Sequence, residues 1–587
     1  SLSRINLSLC IHLLRAFQNK GLEHLVLCPG SRSSPLALAA GGLEEESGLN
    51  LYNAIDERSA AFLALGIATG TGKAPIVITT SGTAVANLLP AAVEADRSCQ
   101  PIIFVTADRP HRLKGCGANQ TVNQEEFLRP VCRGIFQGPS EGIHILSVNE
   151  VMSLVGKVWN KSFSIPGPVH FNIPIEEPLF PTHSEQKKVW NGIDSQVLKD
   201  NNFRKNLIEL SKENEVVSFP DLDPFSFGII HVGPWRGKPS DLEKFRNSLL
   251  VFHSLSNWPI FADPLSGLSS DQPGLVNHWE LLISSQKLGF GNDLQVLRLG
   301  PISSSRALEE FLTKFSTNQV LITEGEHRPL DPLRIAKQYS YGFSSWVENF
   351  LDKHPNITKL ENSISAQMLS NLSLKSQQVD VLLDNKLAFT DKLNQPLIIK
   401  FLDNLAPPDL PIMVSSSSLI RDLLTYSNSA LLSRRIYSFR GASGIDGNIS
   451  LAIGLSIVLG PMICLCGDLA FIYDSNALLL SQYLRHPLIL LLIDNNGGGI
   501  FRNLNLDKLY KGTLEDLFIM PQKINISELA SAYGVAYKEI KSLDDLGDAI
   551  EWGLRIIGLV VIRVRTDSEE DTFLRKNIAE SLKEYIT

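Results

Sequence analysis

Two strand ends near the C-terminus carry the residue types needed to hold a divalent cation beside a phosphate: Cys466-Gly467-Asp468-Leu469 and Asp494-Asn495-Asn496-Gly497-Gly498-Gly499. Each follows a short apolar run, Met462 to Leu465 and Leu488 to Ile493, and the stretch from Ser475 to Tyr483 between them reads as a helix. The pattern is strand, helix, strand, with oxygen donors at the carboxyl ends of two parallel strands, where open α/β sheets bind ligands. A carboxylate from Asp468, an amide oxygen from Asn495 and the Gly497 carbonyl form a hard donor set that suits Mg²⁺ or Ca²⁺. The glycines at 497, 498 and 499 let main chain approach a diphosphate closely. Singly, Gly-Asp and Asn-Asn-Gly are common turn formers. Together, 27 positions apart (495 − 468) and each ending an apolar strand, they favour a binding site.

The elements that must position these residues can be read from the rest of the chain. With 587 residues the protein is too long for one core. Residues 1–185 alternate apolar strands (25–28, 76–79, 102–106, 168–174) with helices (58–68, 84–95), the pattern of a parallel α/β unit. A polar stretch, 186–225, reads as a linker with one helix, and a second α/β unit follows over 226–345, with strands at 227–232, 259–262, 295–299 and 319–323. A second polar, mostly helical linker, 346–395, leads to the unit 396–587, with strands at 412–414, 462–465, 488–493 and 559–564. The expected fold is α/β, with three doubly wound parallel-sheet domains.

Bulk properties exclude several functions. A net charge of −8 gives no electrostatic case for nucleic acid or an anionic membrane as partner. The longest apolar stretch, Ile449 to Cys466, is interrupted by Gly460-Pro461 and is shorter than the roughly 20 residues of a membrane span. Seven cysteines show neither a paired framework nor metal-ligand spacing, as expected for reduced thiols in a cytoplasmic protein. The segment Ser1 to Leu13 lacks the features of a signal peptide and reads as an amphipathic first helix; Ser in place of Met at position 1 suggests a trimmed chain end.

The paired strand ends resemble the thiamine-diphosphate and magnesium motif of thiamine-dependent enzymes. Such enzymes need a glutamate that hydrogen-bonds the aminopyrimidine ring and favours the tautomer that removes the cofactor's C2 proton. Glu57, in Asn53-Ala54-Ile55-Asp56-Glu57-Arg58, resembles that residue, opening the helix after the second strand of the first domain. Thr80-Ser81-Gly82-Thr83-Ala84 also matches the family's strand-to-helix turn. Five further motifs narrow the match: Pro29-Gly30-Ser31-Arg32-Ser33-Ser34-Pro35, Thr106-Ala107-Asp108-Arg109-Pro110, Gly117-Ala118-Asn119-Gln120, Arg440-Gly441-Ala442-Ser443-Gly444-Ile445-Asp446-Gly447 and Asn496-Gly497-Gly498-Gly499-Ile500-Phe501. They resemble the 2-succinyl-5-enolpyruvyl-6-hydroxy-3-cyclohexene-1-carboxylate synthases of menaquinone and phylloquinone biosynthesis, strongly in the first and third domains and weakly in the middle one.

The resemblance implies thiamine diphosphate with Mg²⁺, or Mn²⁺ as the alternative, held by Asp468, Asn495 and Gly497, with Ser417, Ile445 and Gly467 also at the cofactor. Ile445 is the apolar wedge beneath the bent cofactor. The implied substrates are 2-oxoglutarate, which loses carbon dioxide, and isochorismate, which accepts the succinyl unit by 1,4-addition. Both are dianions, which arginine forks bind bidentately. Arg421 and Arg440, with Ser417, are expected at the distal carboxylate of the donor; Ser31, Arg32, Arg109, Asn119 and Gln120, helped by Arg306, are expected to face isochorismate. Ile500 and Phe501 would form an apolar wall that excludes water. Glu57 from one chain and the metal ligands from another would make the enzyme a homodimer or homotetramer. The sequence departs from the pattern at Asp494 and Ser416, where asparagine is expected, and at Arg306, where lysine is common. The competing readings are another thiamine-dependent 2-oxoacid decarboxylase, an acetohydroxyacid synthase-like enzyme, or a non-catalytic binding paralogue.

Overall fold

Unbroken apolar runs such as Ile102–Asp108 and Pro487–Asp494 are buried along nearly their whole length, as a parallel sheet covered by helices on both faces requires. The structure is a computed structural model that describes residues 1–197, 217–315, 318–357, 363–388, 392–504 and 511–586; parts of both expected linkers lie outside the described residues. The chain forms two units, Ser1–Val217 with Ser450–Val458, and Ser218–Ile449 with Leu459–Thr587. No described helix is long and apolar enough to cross a membrane.

In the first unit, strands β1 (His24–Leu27), β2 (Asn50–Asn53), β3 (Ile76–Thr79), β4 (Ile102–Asp108), β5 (Ile135–Gln137) and β6 (Pro168–Pro174) form a sheet in the order β2-β1-β3-β4-β6-β5, parallel throughout. The order reverses between β1 and β3, so the loops after these strands diverge and leave a crevice. The expected helix over 84–95 is two helices, Thr83–Ala86 and Leu89–Arg97. Pro90 explains the break: it has no N–H for the carbonyl four residues back, and its ring would collide with that turn. Helix His183–Val197 adds Val189 and Ile193 to this unit's core. The helix of Glu57 crosses residues 450–458 closely, and a methyl group on Gly66 or Gly454 would stand 2.3 or 2.2 Å from a main-chain oxygen.

The second unit holds two more parallel sheets. Strands β7 (Gly228–Val232), β8 (Ile260–Ala262), β9 (Gln295–Leu299), β10 (Gln319–Ile322) and β11 (Lys337–Tyr339) lie in the order β11-β10-β9-β7-β8. Strands β12 (Ile412–Val414), β13 (Ile436–Tyr437), β14 (Met462–Gly467), β15 (Pro487–Asp494), β16 (Ala536–Ile540) and β17 (Gly558–Arg565) lie in the order β13-β12-β14-β15-β17-β16, repeating the first sheet's pattern. Helices Phe343–Lys353 and Ser363–Ala388 send Phe343, Trp346, Leu372 and Leu383 into the hydrophobic cores. The helix expected over Ser475–Tyr483 is a 3₁₀ helix, and a short α-helix, Asp468–Tyr473, precedes it.

Candidate active site

Asp468 is the first residue of the helix after β14, and Asn495 directly follows β15, so adjacent parallel strands deliver both side chains to one edge. Asp468 is buried, and its Oδ2 accepts a hydrogen bond from the Gly497 N–H at 2.7 Å. Its Oδ1 faces the Asn495 amide. The amide atom of Asn495 on that side stands 3.1 Å from Asp468 Oδ1 and 2.7 Å from the Gly497 carbonyl oxygen. With nitrogen there, the amide donates to both; with oxygen there, three oxygens converge and need a cation between them. Burial, reinforced by neighbouring Asp494, pushes the Asp468 carboxyl up to about 7, a cost that a bound divalent cation relieves. The residues present thus fit a Mg²⁺-type ion.

The glycine run owes its composition first to internal packing. Gly497 has φ +121°, and a Cβ there would stand 2.1 Å from the Ile519 carbonyl oxygen, which accepts the Gly498 N–H at 2.6 Å. Ile500 and Phe501 lie on the next turn, Gly499–Asn503, both half-buried, with the Phe501 ring 5.6 Å from that of Phe518. Gly467, the N-cap of the Asp468 helix, donates its N–H to Ser415 Oγ at 3.3 Å, tying the ends of β14 and β12 at the sheet's reversal point. Sequence reading passed over Ser415.

Asp494 is a neutralised acid. Arg563 on β17 donates to its Oδ2 through Nε at 2.9 Å and through Nη2, while Oδ1 accepts the Asn496 N–H at 3.0 Å. The acid at this position is thus matched by an arginine on the neighbouring strand, and the pair steadies the loop bearing Asn495 and Gly497. Asp494→Asn leaves the half-buried Arg563 guanidinium unpaired beside the candidate cation site and is expected to weaken Mg²⁺ binding roughly 10- to 100-fold, the usual effect of losing an outer support. Asp494→Asn with Arg563→Gln should recover most of that loss. Isothermal titration of Mg²⁺ in the presence of thiamine diphosphate reads both, and equal affinities in wild type and Asp494→Asn would refute the coupling.

Ser417 caps the helix Ser418–Tyr426 with φ +84° and ψ −140°. Another strand-to-helix turn adopts nearly the same conformation, φ +89° and ψ −136°, with Gly82 in place of serine. A serine here is strained, and strain of this kind is retained at functional positions. The next buried anchor on the helix is Asp422, which takes Arg575 Nε at 2.9 Å, Arg575 Nη2 at 2.6 Å and Gln395 Nε2 at 2.8 Å. Adjacent Arg421 is exposed. Ser416 Oγ is buried without a hydrogen-bond partner. Ile445 is half-buried in the loop before the helix Asn448–Leu459, and its carbonyl accepts Asn448 Nδ2 at 2.8 Å. Arg440 donates to Ser304 Oγ of the middle sheet, and Arg306, two residues further on, is exposed at the start of helix Arg306–Lys314.

In the first unit, loops after β1, β3 and β4 bring Arg32, Ser81 and Arg109 together at the sheet's reversal point. Arg109 Nη1 donates to Ser81 Oγ at 2.6 Å and to the Gln120 carbonyl at 2.9 Å; Gln120 Nε2 donates to the Ser81 carbonyl at 2.8 Å. Burial and the nearby Arg32 guanidinium hold the Arg109 pKa below its ordinary value. Paired guanidiniums are the chemistry that receives a carboxylate. Arg32 donates to the Ile175 carbonyl at 2.9 Å and to Glu177 Oε1 at 2.8 Å, so an exposed acid side chain stands where a substrate carboxylate could replace it. Ser31 and Asn119 are exposed on the same loops. Gln124 was missed from sequence; it is fully buried, accepts the Gly82 N–H at 3.0 Å and donates to Asn172 Oδ1 at 2.7 Å, fixing the turn beneath Arg109.

Glu57 opens the helix Glu57–Thr71 after β2 and is half-buried, while neighbouring Ile55 is 75 % exposed. The helix is capped by Asp56, whose side chain accepts the Arg58 N–H at 2.9 Å, leaving the Glu57 carboxylate without a capping duty. Burial and then the nearby Glu57 and Asp56 charges raise the pKa of the Cys28 thiol just beyond β1.

Comparisons with known proteins agree with this geometry. Residues 10–127 match the N-terminal TPP binding domain of thiamine pyrophosphate enzymes, and residues 426–564 match their C-terminal TPP binding domain. A protein of Prochlorococcus marinus strain SARG / CCMP1375, named 2-succinyl-5-enolpyruvyl-6-hydroxy-3-cyclohexene-1-carboxylate synthase, is 56 % identical over 98 % of this chain and 100 % of its own length. Proteins of the same name from Prochlorococcus marinus strain NATL1A and Synechococcus sp. strain CC9311 are 47 % identical (100 % of this chain, 98 % of the relative) and 43 % identical (97 % and 99 %).

Proposed function

This chain belongs to the 2-succinyl-5-enolpyruvyl-6-hydroxy-3-cyclohexene-1-carboxylate synthase family, and on that premise we propose how its residues carry the reaction. It is a thiamine-diphosphate-dependent transferase that decarboxylates 2-oxoglutarate and joins the succinyl unit to isochorismate by 1,4-addition, in menaquinone biosynthesis. When bound, thiamine diphosphate supplies the acidic C–H and the electron sink for loss of carbon dioxide. Asp468, Asn495 and the Gly497 carbonyl would hold Mg²⁺, with Mn²⁺ as a substitute, which would offset the charge of the diphosphate. Glu57 orients the aminopyrimidine ring and sets its protonation. Ile445 supports the cofactor from below, and Ile500 with Phe501 keeps water from the reacting carbon.

Two sets of cations then divide the substrates. Ser417, Arg421 and Arg440 receive the distal carboxylate of 2-oxoglutarate, while Arg32 and Arg109, steadied by Ser81, Gln120 and Gln124, receive isochorismate, with Ser31, Asn119 and Arg306 at the periphery. Ile55 beside Glu57 is an exposed aliphatic, which supports a homodimer, or a tetramer of paired dimers, in which one chain's Glu57 serves its partner's metal site. All seven cysteines are free thiols, which suits the cytoplasm.

The convergence of Asp468, Asn495 and the Gly497 carbonyl at neighbouring strand ends carries the cofactor reading. Incubation with 2-oxoglutarate, isochorismate, thiamine diphosphate and Mg²⁺ should yield the succinylated ring acid by mass spectrometry. Succinic semialdehyde as the sole product would indicate a simple decarboxylase instead.

A further inference from the structure

The main chain around Arg440 forms neither helix nor strand from 438 to 445, and it follows the two-residue edge strand β13. Such a segment cannot hold a long side chain at a fixed angle by itself, so its order must come from what touches it. Two contacts come from the middle sheet, which is not otherwise part of the proposed chemistry beyond Arg306. Arg236, in the loop after β7, donates Nη2 to the Arg440 carbonyl oxygen at 2.9 Å. Ser304, in the loop after β9, accepts from Arg440 Nη2. Strands β7 and β9 are neighbours at the point where the middle sheet's order reverses, so these loops open the crevice in which α/β sheets receive ligands.

The loop bearing Ser304 is fixed from below. His231 on β7 is fully buried, and burial lowers its pKa to about 3, so the ring is neutral. Its Nδ1 has no partner, while Nε2 lies 2.9 Å from Ser303 Oγ, which assigns the proton to Nε2 and makes the histidine the donor. The Ser303 hydroxyl then has one proton to give, and it gives it to buried Asp263 after β8. Asp263 Oδ1 also accepts the Leu265 N–H at 2.8 Å. Ser303 is thus held from two sides, and Ser304 has little freedom to move away from Arg440.

We propose that Arg236 and Ser304 are positioning residues for Arg440, so that the middle sheet sets the enzyme's preference for a donor with a distal carboxylate. Arg236 fixes the main chain of Arg440, and Ser304 fixes the rotation of its guanidinium. The proposal rests on the assignment of Arg440 to that carboxylate.

Steady-state kinetics of the full-length holoenzyme test it. Ser304→Ala and Arg236→Met should each raise the KM for 2-oxoglutarate roughly five- to tenfold, the scale of one lost hydrogen bond. The KM for isochorismate, and kcat/KM for 2-oxobutyrate, a donor without the distal carboxylate, should stay unchanged. Ser304→Thr and Arg236→Lys should recover most of the loss. Equal losses with both donors, or no change with either, would overturn the proposal and leave a brace between loops. Arg440→Met separates the two claims: it should raise the 2-oxoglutarate KM at least as far, and adding Ser304→Ala to it should do nothing more. An unchanged KM in Arg440→Met would overturn the Arg440 assignment itself.

Discussion

Glu57→Gln is expected to lower turnover by about 10²- to 10⁴-fold, the usual contribution of a positioned acid or base. The substitution is nearly isosteric and removes only the charge and the proton that a carboxyl group can share. Its structural cost is small for a specific reason: the helix start is secured by Asp56, not by Glu57, so no main-chain N–H loses a partner. The proposed cation site lies on other strands of another unit, so calorimetric Mg²⁺ binding should be preserved while product formation is lost. Full turnover in Glu57→Gln would remove the thiamine assignment from this residue; loss of folding, seen as a lowered melting temperature, would return it to the role of a helix-terminal acid.

Ser417→Gly should make the protein more stable and a poorer catalyst. At φ +84° and ψ −140° serine pays a backbone penalty that glycine escapes, as Gly82 does in nearly the same conformation. The relief, set against glycine's greater freedom in the unfolded chain, is roughly 0.5–2 kcal/mol. The same change deletes a hydroxyl proposed to meet cofactor or donor carboxylate, and kcat/KM for 2-oxoglutarate should fall roughly tenfold or more. Thermal melts of the apoprotein and kinetics of the holoenzyme read the two effects separately. A variant that is both less stable and fully active would show that the serine is tolerated for packing alone.

What the sequence revealed about the fold follows from burial. The central strands β3, β4, β6, β14, β15 and β17 are mostly apolar and stand out from a single sequence. Residues Ile135–Gln137, Lys337–Tyr339, Ile436–Tyr437 and Ala536–Ile540 did not, and every one of them is an edge strand. An edge strand pairs on one side only and meets solvent, so Lys337, Lys538 and Glu539 can sit in it without cost, and the apolar signal vanishes. Asn50–Asn53, also an edge, was implied only by the place of Glu57.

The site was legible to the same depth. Asp468, Asn495 and Gly497 were readable because strand ends announce themselves. Arg32 and Arg109 were readable by motif, but their Glu177 and Ser81 partners were not, because these contacts span 145 and 28 positions of sequence. Asp494 looked like a surplus charge because Arg563, 69 positions away, becomes its neighbour only through the pairing of β15 with β17.

The first and third sheets share one strand order, β2-β1-β3-β4-β6-β5 and β13-β12-β14-β15-β17-β16. On the proposed assignment the acceptor's main cations, Arg32 and Arg109, hang from the first and the donor's from the third, each on loops that a parallel sheet tolerates changing. The two halves of substrate choice are therefore separable traits. Selection, or an engineer, can exchange the acceptor by altering the loops after β1 and β4 while the donor preference, carried after β12 and β13 and braced from the middle sheet, stays as it was.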